Sequence, residues 1–147
     1  MKKLTTAKEL IQQKDTCVLA TVSGAEPHCS LMSYITDEDC RKIYMSSLRG
    51  SKKYTNMMNN ASVSLLIDTR EDDTGRRREN IKALTVQGTF QHIEDESKRR
   101  EIFEKLLERH PNLKDFADST ELEVFQVNTK SVQLLEGVSN SYFEELD

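Results

Sequence analysis

The sequence has no surplus of positive charge: 21 Lys and Arg stand against 25 Asp and Glu, for a net charge of -4. A general attraction to nucleic acid or to an anionic membrane therefore has no basis, and any anion site must be local. Cysteine is scarce, and Cys17, Cys29 and Cys40 are odd in number and lack CxxC spacing. A disulfide framework and a structural zinc site are both argued against, and the three are read as ordinary thiols. No HxxxH or HExxH pattern and no Cys/His cluster occurs, so a catalytic metal is not expected. No long apolar run follows the two lysines of MKKLTTAKELIQQ, so neither a secretory signal nor a membrane span is supported, and a cytoplasmic location is expected. No repeat or low-complexity linker divides the chain. Its 147 residues suit a single domain over 1–147.

What is present is a series of short strands with brief helical excursions. Thr6-Ala7-Lys8-Glu9 has the form of a capping box and predicts a short helix to about Lys14. TCVLATVS, HCSLMSYI after Pro27, and KIYMSS read as three strands in meander order, with DEDC as a turn. SKKYTNMMNN breaks the two-residue alternation and predicts a helix of two or three turns, and Met57 and Met58 are expected to fill core gaps. ASVSLLID is a fourth strand. TREDDTGRRREN is a charged loop, and Arg76, Arg77 and Arg78 are expected at a mobile tip. IKALTVQGTFQHI places Leu84, Val86, Gly88 and Phe90 on one strand face, with Gly88 marking a bend or bulge. EDESKRREIFEKLLERH is a helix stopped by Pro111, and ELEVFQVNTKSVQLLEG is one bent strand or two. About six strands without βαβ alternation predict a mainly β protein with α-helices, a six-stranded antiparallel barrel.

The stretch MSSLRGSKKYTNMMNNASVSLLID, residues 45–68, carries the strongest functional signal. Gly50 permits close backbone approach, Ser51 is a good N-cap, and the following first turn leaves backbone N–H groups without intrahelical partners. Such a helix start stabilises an anion by about 0.3–1 kcal/mol, and Lys52, Lys53 and Arg49 are placed to add charge-assisted hydrogen bonds.

Strand, Gly-Ser-Lys-Lys, short helix and VSLLI together resemble the pyridoxamine 5'-phosphate oxidase-like family of FMN-binding split β-barrels, over roughly residues 6–137. The resemblance implies that Ser51, Lys52 and Lys53 hold the FMN phosphate, with Ser46 and Ser47 beside the ribityl phosphate. It places His28, Cys29, Ser30, Leu31, Met32 and Ser33 near the isoalloxazine ring. VQGTFQHIEDE followed by a helix is typical of the family and puts Gln87 among the cofactor-binding residues. Lys52 stands where many relatives carry arginine, a point charge in place of a bidentate fork, and Arg49 is the expected compensation. The chain ends in EGVSNSYFEELD and lacks the oxidase's Arg- and His-containing segment that grips the vitamin phosphate. The resemblance is thus to the small generic flavoproteins of the general stress protein type rather than to a true pyridoxamine phosphate oxidase.

The implied protein is a homodimer with FMN in the groove between subunits, a flavin-dependent oxidoreductase or flavin reductase taking a small-molecule electron donor or acceptor. The alternative is a non-catalytic protein that binds FMN or haem for storage or redox sensing. A deazaflavin-using reductase is a third possibility that fits the Ser-Lys-Lys segment less well. No catalytic residue is assigned. His28 reads more simply as an edge histidine, Cys29 as a buried inert thiol, His92 and His110 as surface residues, and Asp37, Glu38 and Asp39 as a turn.

Overall fold

The computed structural model describes residues 2–146. Alternating apolar and polar side chains make β1 (Thr16–Ser23), whose Cys17, Leu19 and Thr21 are buried. Gly24, at φ +59°, turns the chain into β2 (Glu26–Ser33). A two-residue β3 (Ile35–Thr36) pairs with β4 (Lys42–Leu48). The Asp37 carboxylate serves that turn, accepting the Arg41 and Lys42 N–H groups at 2.9 and 3.2 Å. After α2 (Lys52–Asn59) come β5 (Ser62–Asp68), β6 (Lys82–His92), α3 (Glu96–Arg109), β7 (Leu122–Glu136) and β8 (Asn140–Glu145). The strands form one curled antiparallel sheet in the order β2-β1-β5-β6-β7-β4-β3, with β8 also paired to β7. This is the expected mainly β split barrel, with eight strands rather than six. ELEVFQVNTKSVQLLEG forms a single 15-residue strand, and the additional β8 follows a turn at Gly137, φ +67°.

Three local expectations are corrected. HCSLMSYI breaks at Tyr34 into β2 and β3, and β4 pairs with β3 and β7 rather than with β2, so the first strands do not form a three-strand meander. The first helix, α1, runs Lys2–Gln13, so Thr6 sits inside it and its hydroxyl donates back to the Lys2 carbonyl at 3.2 Å instead of capping. The charged loop contains a short 3-10 helix, Gly75–Asn80, whose Arg77 donates to the Asp72 carbonyl.

The concave side of the sheet holds the main core, including Leu19, Met45, Leu65, Val86 and Leu134, and is closed by Ala7, Leu10 and Ile11 of α1. At Gly88 the β6–β7 register shifts. A Cβ there would lie 2.4 Å from Val127 Cγ1 and 2.8 Å from the Asn128 carbonyl oxygen, so close approach of the neighbouring strand requires the glycine. On the convex side, α3 packs Ile102 and Leu106 against Val124 of β7 and Tyr44 of β4. The remainder of that side carries a row of partners that crosses the sheet: Leu31, Val18, Leu66, Thr85, Gln133 and Phe143. Leu31 is 76% and Phe143 57% exposed.

Candidate functional site

The segment from β4 into α2 is fixed from below by Tyr54. Its ring is buried and meets Phe90 and Phe125 edge-on, with centroids 5.6 and 6.3 Å away. Contacts of this kind add about 0.5–1.5 kcal/mol beyond area burial. Met57 is buried beside it, and Asn56 Nδ2 donates to Thr21 Oγ1 at 3.1 Å. The start of α2 is therefore held in place by core contacts rather than by helix propensity. Ser51 is the N-cap, as its position predicted: its Oγ accepts the Tyr54 N–H at 3.3 Å and lies 2.8 Å from Ser47 Oγ.

Around this cap is a cleft of about 340 Å³, within the roughly 300–1,000 Å³ typical of small-molecule sites. Its polar end is made by Ser46, Ser47, Ser51 and Lys53, and its apolar walls by Leu31, Met32, Leu48, Leu113, Phe116 and Leu122, with Ser33 and Asn112 at the edge. Among the described residues Lys53 enters no ion pair, so its ammonium remains available to an anion. Three serine hydroxyls, an ammonium and a helix N-terminus beside apolar walls suit a molecule with a flat apolar body and an anionic tail. That donor set fits a flavin mononucleotide.

Of the residues singled out in the sequence, Leu31, Met32, Ser33, Ser46, Ser47, Ser51 and Lys53 are brought together here. His28, Cys29, Ser30, Arg49, Lys52 and Gln87 do not line the cleft. Cys29 is exposed, a correction to its reading as a buried thiol, because it falls on the uncovered convex face. It shares a cross-strand row with Ala20, Ser64 and Gln87. Lys52 is exposed at the first helical position. Sequence reasoning missed Leu113 and Phe116, which arrive on a 3-10 helix, Pro111–Phe116, more than fifty residues downstream. Nothing local marks them as neighbours of Lys53.

Arg49 turns to the opposite side of α2. Its Nε and Nη2 both donate to the single oxygen Glu123 Oε2, at 2.9 and 2.8 Å, and Nη2 also reaches the Thr120 carbonyl at 3.3 Å. Glu123 is only 5% exposed, and strand pairing sets it opposite Ser47. Arg99 Nη2 approaches its other oxygen at 3.4 Å and donates to the Leu122 carbonyl at 3.1 Å. His92 is no free surface residue: its Nδ1 lies 2.9 Å from the Tyr54 hydroxyl and 3.7 Å from Glu123 Oε1. Burial pushes the Tyr54 phenol above its ordinary range, and the Glu123 charge adds to the effect. His110 is likewise buried rather than exposed, its Nε2 N–H donating to the Tyr34 carbonyl at 2.9 Å. Met58, expected in the core, is 60% exposed because it lies on the outer face of α2, where it lines a pocket with Arg49, His92, Arg99 and Glu123.

The family model for pyridoxamine 5'-phosphate oxidase matches residues 5–136. The chain belongs to the pyridoxamine 5'-phosphate oxidase family. Similar solved structures span several descriptions. General stress protein 26 from Bacillus anthracis is 22% identical, with a TM-score of 0.68 over 97% of this chain and 98% of that one. A FAD-binding protein from Mesorhizobium loti is 17% identical, with a TM-score of 0.72 over 88% of this chain and 91% of that one. A haem binding protein from Mycobacterium smegmatis is 14% identical, with a TM-score of 0.79 over 95% of this chain, which spans 57% of that protein's length. A search of curated proteins gives no match. At these identities the structures establish the shared fold, and family membership rests on the match over residues 5–136. Among the described residues no helix is long and apolar enough to cross a membrane, and no group of three or more His, Cys, Asp or Glu is arranged to hold a metal ion.

Proposed function

We propose that this pyridoxamine 5'-phosphate oxidase family member binds FMN in the cleft between β2 and the start of α2 and serves as a flavin-dependent oxidoreductase or flavin reductase for a small molecule. The observation that carries the reading is the amphipathic cleft itself, with Lys53 and the Ser47–Ser51 hydroxyl pair at one end and apolar walls along the rest. FMN would supply the redox chemistry when bound. The protein's share is positional. Ser51 caps α2 and holds its first-turn N–H groups toward the phosphate. Lys53 adds a charge-assisted hydrogen bond, and Leu31, Met32 and Phe116 exclude water from the ring. Arg49, committed to Glu123, contributes no phosphate contact in this proposal.

The working unit in this proposal is a homodimer. The convex row from Leu31 to Phe143 is apolar at intervals and uncovered, and a second copy is the occupant that would bury it. Gln87 lies on the same face, so it would reach a cofactor held by the partner rather than one in its own cleft.

The direct test is the visible absorption spectrum of freshly purified protein, with chemical identification of the chromophore released on denaturation. Release of FMN supports the reading. A protein that takes up no FMN when titrated overturns it. Catalysis is tested separately: reduction of an acceptor by NADH or NADPH faster than free FMN achieves marks an enzyme, and no gain over free FMN marks a binder. Haem is the second reading, favoured by the similarity to a haem binding protein and by Met32, a lining side chain able to ligate iron. Release of haem instead of FMN would establish it.

A further inference from the structure

The pocket on the other side of α2 is larger than the cleft, about 420 Å³, and has a different chemistry. Arg49, Arg99, His92 and Tyr54 surround Glu123, while Met58 and Thr55 of α2 form the opposite wall. Among the residues that line the pocket, Arg49 and Arg99 bring two positive charges to the one carboxylate of Glu123, with the Glu121 charge acting on Arg49 from outside the lining. Glu123 Oε2 is held closely by Arg49, whereas Oε1 has only the longer approaches of Arg99 at 3.4 Å and His92 at 3.7 Å.

Donors also outnumber acceptors. Among the described residues Arg49 Nη1 and Arg99 Nε and Nη1 have no hydrogen-bond partner. The Tyr54 hydroxyl pairs with His92 Nδ1 at 2.9 Å, with the direction of that bond set by the imidazole tautomer. A pocket lined by two guanidiniums with spare N–H groups and by an exposed methionine wall is complementary to an organic anion with an apolar body.

We propose that this pocket is a second ligand site, separate from the flavin cleft, which binds a small organic monoanion with its carboxylate between Arg49 and Arg99 and its apolar part against Met58. With Nη2 of both arginines already engaged, the ligand carboxylate takes single charge-assisted hydrogen bonds, one from Arg49 Nη1 and one from Arg99. Glu123 acts as the counter-charge that holds both arginines in position and limits affinity. The proposal does not depend on which cofactor occupies the cleft.

Benzoate serves as the probe, with neutral, nearly isosteric benzamide as the control, in titrations of the full chain followed by calorimetry and by chemical-shift changes. Saturable binding of benzoate and none of benzamide is expected. Met58→Glu places a negative charge on the exposed wall without touching the ion-pair network, and should weaken benzoate at least tenfold while the melting temperature stays within a few degrees. Glu123→Gln removes the competing carboxylate and should tighten benzoate several-fold. Lys53→Ala, across α2, should leave benzoate affinity unchanged. No saturable benzoate binding, equal affinity for benzamide, an unaffected Met58→Glu protein, or loss of binding in Lys53→Ala would each overturn the proposal. If Glu123→Gln does not fold, Met58→Glu and Lys53→Ala still decide it.

Discussion

The two sides of α2 use neighbouring basic residues in opposite ways. On one side, Lys53 faces a cleft among serine hydroxyls and is left without a carboxylate partner among the described residues. On the other, Arg49, four residues earlier, is tied by two hydrogen bonds to the buried Glu123. A basic residue that turns to an internal carboxylate on the far side of α2 contributes to stability and gives no contact to a phosphate in the cleft, whereas Lys53 can change partners from water to phosphate. The difference separates stability from flavin binding, and it can be tested by substituting one side at a time.

The largest effect is expected at Glu123. Glu123→Ala leaves Arg49 and Arg99 without their shared counter-charge and opens a space beneath them, and should cost about 3 kcal/mol of folding stability. That is the low end for a broken buried pair, because both guanidiniums keep contact with water. Denaturant unfolding measures it, and FMN affinity of the folded protein should not change. A large loss of FMN affinity with intact stability would reverse the roles of the two sides.

Lys53→Ala should do the opposite. Removing its charge-assisted hydrogen bond is expected to weaken FMN by about 1–3 kcal/mol, roughly 5- to 150-fold by fluorescence titration, with unfolding unchanged. Ser51→Ala sits between the two cases, since the hydroxyl both caps α2 and faces the cleft. It should lower stability by about 1 kcal/mol and weaken FMN as well. The smallest effect belongs to Lys52→Ala. Exposed and outside the cleft, Lys52 should change stability by no more than about 0.5 kcal/mol, and its loss should weaken FMN less than the loss of Lys53 does. An equal loss at both lysines would show that the phosphate lies outside the cleft, over the helix start.

How much of this was readable in the sequence depended on how local each cause is. Ser51 as N-cap, the short helix after it and the bulge at Gly88 follow from residues within a few positions, and they emerged as expected. The pairing of Arg49 with Glu123 joins β4 to β7 across 74 positions, so a charge count around Gly50 gave Arg49 to the phosphate. Met58 was placed in the core on residue type alone, but the periodicity of α2 buries Tyr54 and Met57 and leaves Met58 outside. His110 looked solvent-facing at a helix end, yet its ring turns inward to the Tyr34 carbonyl. The β8 strand was missed because Asn140-Ser141-Tyr142-Phe143-Glu144-Glu145 has no clean alternation and gains its order by pairing along β7. Family resemblance added expectations that periodicity does not contain, namely FMN as the ligand and Gln87 as a residue near it.

The most direct measurement is a pair of titrations, FMN and riboflavin, on the same ligand-free protein, since the two ligands differ by the phosphate alone. With Lys53 and the α2 start acting as the anchor, FMN should bind at least about tenfold more tightly than riboflavin, a difference of about 1.4 kcal/mol, and Lys53→Ala should shrink that ratio severalfold. Equal affinity of the unaltered protein for both flavins would contradict the anchor.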